Sequence, residues 1–195
     1  MEAASAVEAA SEAGELEAAE PARPFFLPAG SLIERLYRMA GSIWEGRYMQ
    51  YSEGRIGRIF VLRIDHGEDL IVELRQFITE KQISHAMAHF LGALSQGKIV
   101  TGPELAVLPP VPHFEHFQGG WEVFGIATVY PGEAGPQLHL HGSVGRGREA
   151  LAGCLRDKAD VYIVVEVVIT EITGLQARKQ HDSRTGLSLP CLGQE

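Results

Sequence analysis

The sequence predicts an α+β domain: a single mixed, mostly antiparallel sheet with a packed helix, preceded by an extra N-terminal helix. Three observations predict it. Strand-like segments recur between Gly and Pro breakers from Tyr48 onward. One stretch among them, residues 68–78, carries helical spacing instead. A second helical pattern, residues 31–44, stands upstream of every strand. Many strands around one internal helix make an α+β architecture rather than a parallel sheet with alternating helices.

Residues 1–24 hold six Glu and one Arg among Ala, Ser and Gly, and end in Pro21 and Pro24. They lack an apolar stripe that could dock on anything, which predicts a disordered acidic tail. Residues 25–48 form an N-terminal extension. Ser31 is placed to cap a helix in which Leu32, Ile33, Leu36, Tyr37, Ala40, Ile43 and Trp44 share one face. Residues 49–195 make the folded domain.

Within it, residues 58–64 read as a strand that stops at His66-Gly67. Glu68-Asp69 then opens a helix with Leu70, Ile71, Leu74, Phe77 and Ile78 on one side, and acids at its start suit the helix dipole. Further strands are expected at 85–94, 98–101, 121–130, 137–144 and 161–172. The breakers between them are Gly102-Pro103, Pro109-Pro110, Gly119-Gly120, Pro131-Gly132 and Gly145.

Composition narrows the function classes. The 195 residues are 45% hydrophobic, enough for an ordinary core, and carry a formal charge of −8. No basic excess exists for counterion release, so direct nucleic-acid binding is disfavoured. Two cysteines without scaffold spacing imply a reducing compartment, and no uncharged apolar run is long enough for a membrane span. A cytoplasmic protein is expected.

The chemistry concentrates in Gln137-Leu138-His139-Leu140-His141, followed thirteen residues later by Cys154. Histidines at i and i+2 of a strand face the same way, with Cβ atoms roughly 6–7 Å apart. Two imidazoles and a thiol arriving from the next strand form a donor set suited to Zn2+ or another divalent metal. Three protein donors leave an open position, which makes a zinc enzyme an alternative to a binding role. His113 and His116 follow a proline run and read as part of a surface strand or loop, not as ligands. Arg146-Gly147-Arg148 compares with the R-G-R-P core of a minor-groove hook, but Glu149 replaces the proline and the tripeptide reads as a turn.

From about Met49 to Leu189 the chain resembles the plants-and-prokaryotes-conserved (PPC) domain family. The likeness rests on an ordered set: the 62–70 segment with Gly67-Glu68-Asp69-Leu70, then Leu91-Gly92-Ala93-Leu94, Glu122, His139-Leu140-His141, Glu166, and the closing Arg178, Asp182 and Thr185-Gly186-Leu187. The resemblance implies one sheet with a packed helix, usually assembled as a homotrimer. It also implies that the histidine pair belongs to a cluster completed by a G-G-H-L segment. Here that segment is Ala152-Gly153-Cys154-Leu155, so cysteine stands where histidine is expected. Glu122 and Glu166 are then candidate carboxylate supports behind the metal, and Arg178 and Asp182 candidate cleft residues. Plant members place the domain after DNA-binding hooks. Bacterial and archaeal members lack the hook, yet are often labelled DNA-binding proteins. Three readings follow: a homotrimeric binding or regulatory module that takes an unnamed small ligand, a zinc enzyme, or a DNA-binding regulator.

Overall fold

The computed structural model describes residues 49–193; the tail expected at 1–24 and the helix expected at 31–44 lie outside them. The chain opens with β1 (Arg55–Asp65), a turn, and α1 (Leu70–Glu80). Asp69 is the helix cap. Its Oδ1 accepts from the backbone N–H groups of Ile71 and Val72 at 2.8 and 3.0 Å, and its Oδ2 accepts from Ala159 N–H at 3.0 Å. Glu68 instead turns back to accept from Asp65 N–H at 2.7 Å. Leu70, Ile71, Leu74 and Ile78 are buried in the core, so one face of the short helix meets the sheet residues there.

The cap supports a measurable prediction. Asp69→Ala removes two orphan-donor bonds of the helix and leaves the Ala159 amide, in a fully buried residue, without its partner. The expected loss is about 2–3 kcal/mol of unfolding free energy, read from the midpoint of a urea titration at unchanged slope. A loss below the scatter of ordinary surface substitutions would show that Asp69 does not tie α1 to the sheet.

The remaining strands are β2 (Ala86–Gly102), β3 (His113–Gly132), β4 (Gly135–Arg146), β5 (Glu149–Thr173), β6 (Ala177–Asp182) and β7 (Leu187–Leu192). Every pairing among them is antiparallel, which corrects the expected mixed sheet. The single expected sheet is also two: a five-stranded sheet ordered β1-β5-β2-β3-β4, and a separate β6-β7 hairpin. The segments expected at 85–94 and 98–101 are one strand, β2. Gly119-Gly120 does not break β3 but places a bulge in it. Two β3 residues there oppose one of β2, with Gly119 at φ +101°.

β4 also pairs with β5, so β2, β3, β4 and β5 form a closed circuit. Two irregularities in β5 bend it enough to do this. Extra residues stand between the pairs Lys98–Arg156 and Gly97–Ala159, with Asp157 at φ +63°. More stand between Leu94–Val161 and Gly92–Val165, with Ile163 at φ +64°. Such bulges kink a strand and increase its twist. One edge of β5 therefore serves β4 first and β1 later, while the other edge follows β2.

Side chains alternate across this sheet. Ala88, Phe90, Val123, Ala127, Leu140, Val144, Val165 and Val167 point into the core with α1. The opposite parity forms rows on the outside. One row runs Val61, Val168, His89, Ile126, His141, Cys154; its neighbour runs Arg63, Glu166, Leu91, Phe124, Ser143, Ala152. The first row carries His141 and Cys154, and His139 stands on the same face two residues before His141.

Candidate metal centre

β4 presents His139 and His141 on one face because they are two residues apart in a regular strand. Their rings meet edge to face, with centroids 4.8 Å apart and planes at 87°. Cys154 lies directly opposite His141 in the β4–β5 ladder, and opposite Val100 on its other side. Gly153 makes that crossing close: any side chain there would run into the Val100 carbonyl oxygen. The expected arrival of the thiol from the next strand is thus a register fact. The ligand atoms of His139, His141 and Cys154 all lie within 4.8 Å of one another, and no other trio of His, Cys, Asp or Glu among the described residues converges in this way.

The donor set fits a metal. Zinc bonds of about 2.0–2.1 Å to nitrogen and 2.3 Å to sulfur give tetrahedral donor separations of roughly 3.4–3.6 Å, so side-chain rotation closes the remaining gap. Electrostatics prepare the nitrogens. Burial, then the neighbouring His141, Lys179 and Arg156 charges, lower His139 to about 4 from its ordinary 6.5, so it is neutral near pH 7. Burial pushes the Cys154 thiol up, with Arg156 and Lys179 working against that rise. Burial lowers Lys179, as does the charge of Arg156. Cys154 is 5% exposed; its Sγ makes a long contact, 3.9 Å, to the Leu155 carbonyl and interacts with the Arg156 side chain.

The other candidates lie elsewhere. Glu122 is exposed on β3 opposite Gly145, four residues along from the Ile126 that faces His141. Glu166 is exposed opposite Leu91 and Arg63, three strand spacings from β4, or roughly 14 Å. Neither carboxylate joins the cluster. His113 hydrogen-bonds Glu115 at 3.0 Å and His116 pairs across to Lys98, both at the far end of β3. Asp182 Oδ1 accepts from Arg184 N–H at 2.8 Å and Thr185 N–H at 3.3 Å, while Gly186 N–H donates to the Asp182 carbonyl at 2.8 Å. The closing signature is therefore the turn of the β6–β7 hairpin, with Arg178 at the hairpin's base opposite Cys191.

Two basic residues that the sequence does not connect to the histidine pair, Arg156 and Lys179 (the latter part of the basic run Arg178-Lys179-Gln180-His181), act on the centre electrostatically. Arg156 follows Cys154 by two positions on the same strand face, a relation visible once residues 149–173 are seen as one strand. Lys179 arrives from β6, its Nζ 6.0 Å from the centroid of the Tyr130 ring. No sequence spacing announces that approach. An apolar depression lined by His89, Leu91, Phe124, Ile126 and His141 borders the centre on its other side.

Solved structures share this architecture. A metal-containing protein from Archaeoglobus fulgidus is 26% identical, with a TM-score of 0.65, over 72% of this chain and 98% of that one. A plant- and prokaryote-conserved protein from Pyrococcus horikoshii is 23% identical, TM-score 0.65, over 75% and 100%. A protein from Bacteroides thetaiotaomicron with a suggested DNA-binding role is 21% identical, TM-score 0.61, over 74% and 99%. The last two likenesses speak to the fold alone. No curated protein matches the sequence. A family model for the Plants and Prokaryotes Conserved (PCC) domain matches residues 51–173, more than half of the sequence, and the chain therefore belongs to the Plants and Prokaryotes Conserved domain family.

Proposed function

We propose that this chain is a homotrimeric binding or regulatory module that holds one divalent metal ion, zinc or a similar cation, per subunit at His139, His141 and Cys154. The observation that carries the metal is the convergence of three donor atoms within 4.8 Å from two paired strands. The relative from Archaeoglobus fulgidus, named as metal-containing, supports it. His139 needs no deprotonation at neutral pH, which favours binding further.

Assembly is supported by the outer sheet face. Val61, Leu91, Phe124, Ile126 and Val168 stand exposed in adjacent rows, and a contiguous apolar patch of that kind marks an interaction surface. The trimer is the assembly that the family resemblance implies. Among the described residues no helix is long and apolar enough to cross a membrane. A cytoplasmic location accords with the two unpaired cysteines.

Elemental analysis of protein purified without added metal tests the site. The wild type is expected to carry close to one ion per chain, and a His139→Ala/His141→Ala variant close to none. Equal content in the two proteins would refute the assignment.

A further inference from the structure

We infer that Arg156 and Lys179 turn this centre into an oxyanion site, which holds a phosphate-type dianion carried by a small molecule beside the metal. The inference rests on the metal reading above and follows from counting charge. Two neutral imidazoles and one thiolate leave a divalent ion with a net positive charge. Arg156 and Lys179 add two more cations at the same place. Arg156 shares the strand face of Cys154, two residues along β5. Lys179 is half-buried beside Tyr130.

Among the described residues no carboxylate is left over to neutralise this charge. Asp157, the carboxylate adjoining Arg156, is already paired with Lys98 at 2.7 Å, and Asp160 is paired with Lys158 at 3.0 Å. Among the described residues no carboxylate forms an ion pair with Arg156 or Lys179. The Tyr130 ring lies at the outer limit of a useful cation–π contact, about 6 Å, and offsets little. Lys179 is partly removed from water beside an exposed Arg156, and a cation so placed among other cations is costly unless an anion joins it.

The chemistry of the pair selects the anion. A guanidinium fork matches the oxygens of a phosphate in a bidentate way, and an ammonium adds a mobile point charge. A dianion neutralises the excess better than a monocarboxylate, and a neutral sugar or amide would leave it untouched. The coordination that three protein donors leave open gives the same anion a further contact. Neither Glu122 nor Glu166 approaches to repel it.

Calorimetric titration with inorganic phosphate tests this, using the full chain in metal-loaded and chelator-treated forms. Metal-loaded wild type should bind phosphate saturably and acetate more weakly. Arg156→Gln and Lys179→Gln should each lower phosphate affinity by about tenfold or more while retaining the wild-type metal content. Retained metal also shows that the variants fold around the centre. Metal-loaded wild type that ignores phosphate, variants that bind it as well as wild type, or acetate bound as tightly as phosphate would each overturn the inference and leave the metal reading standing. If wild type holds no metal, the metal reading fails, and the same titration still decides. Phosphate binding that disappears in Arg156→Gln keeps the oxyanion site, and no binding removes it.

Discussion

Cys154→Ala is expected to lower metal affinity by more than about a hundredfold, whereas Cys154→His is expected to retain most of it. Competition against a coloured chelator at constant pH measures both. Alanine removes one of three protein donors and leaves two imidazoles, which hold a divalent ion weakly in water. Histidine restores the residue type that the family resemblance places there. Its ring would project from the same register position opposite His141, where β5 is already drawn close to β2 by Gly153. Alanine with wild-type affinity would mean that the thiol is a small buried hydrophobe and that the metal, if bound, sits on the histidines alone.

The pH dependence has a definite sign. The Cys154 thiol is raised by burial, so near neutral pH it must lose its proton when metal binds. Wild-type affinity should therefore fall by about tenfold for each unit of acidification below the thiol's own range. His139, at about 4, adds no proton competition until the solution is far more acidic. Cys154→His removes the thiol proton and should flatten the dependence between about pH 7 and 8. The metal-free fold responds in the same direction for another reason. An unfolded chain takes up a proton at His139 near 6.5, and the folded one only near 4. Stability is thus full above the unfolded value and is lost as pH falls from there towards about 4.

These expectations reach different depths of the sequence. The helix is legible because Asp69 and the Leu70, Ile71, Leu74, Ile78 spacing are local signals, and the helix begins at Leu70. The turn at Arg146-Gly147-Arg148 was equally local: β4 ends at Arg146, β5 begins at Glu149, and Gly147 adopts φ +61°. The first half of β5 was not legible, because its run Glu149–Asp160 mixes charges with Ala and Gly and lacks alternation. That half is ordered by its neighbours, with β4 on one edge and β2 on the other. The same blind spot hid Arg156, although Cys154 itself was singled out. Lys179 was hidden more deeply, since only the docking of a separate hairpin brings it to the centre. Glu122 and Glu166 were drawn in by their place in an ordered motif set, and the register puts them on the outer face away from the ligands.

Phe124→Glu should convert the assembly from a particle of three 21.3 kDa chains to single chains, as read by light scattering at matched concentration. Phe124 is 67% exposed and Leu91, its ladder partner, 57%, so both rings and branches lie open to water in the lone chain. Burying a phenylalanine is worth about 1.5–3 kcal/mol, and a carboxylate in its place must be desolvated without a partner. Cyclic symmetry repeats the substitution at every interface, so the penalty multiplies around the ring. Val72→Glu provides the control. Val72 is 51% exposed on α1, on a different surface, and its substitution should leave the particle mass unchanged. His141 lies in the row next to Phe124 and borders the same apolar depression, so a face covered by a neighbour also shields the metal from solvent. Dissociation by Phe124→Glu should then weaken metal binding as well. A wild type that already runs as a monomer removes the trimer from the proposal. A Phe124→Glu protein that keeps three chains moves the interface to another face and uncouples assembly from the metal.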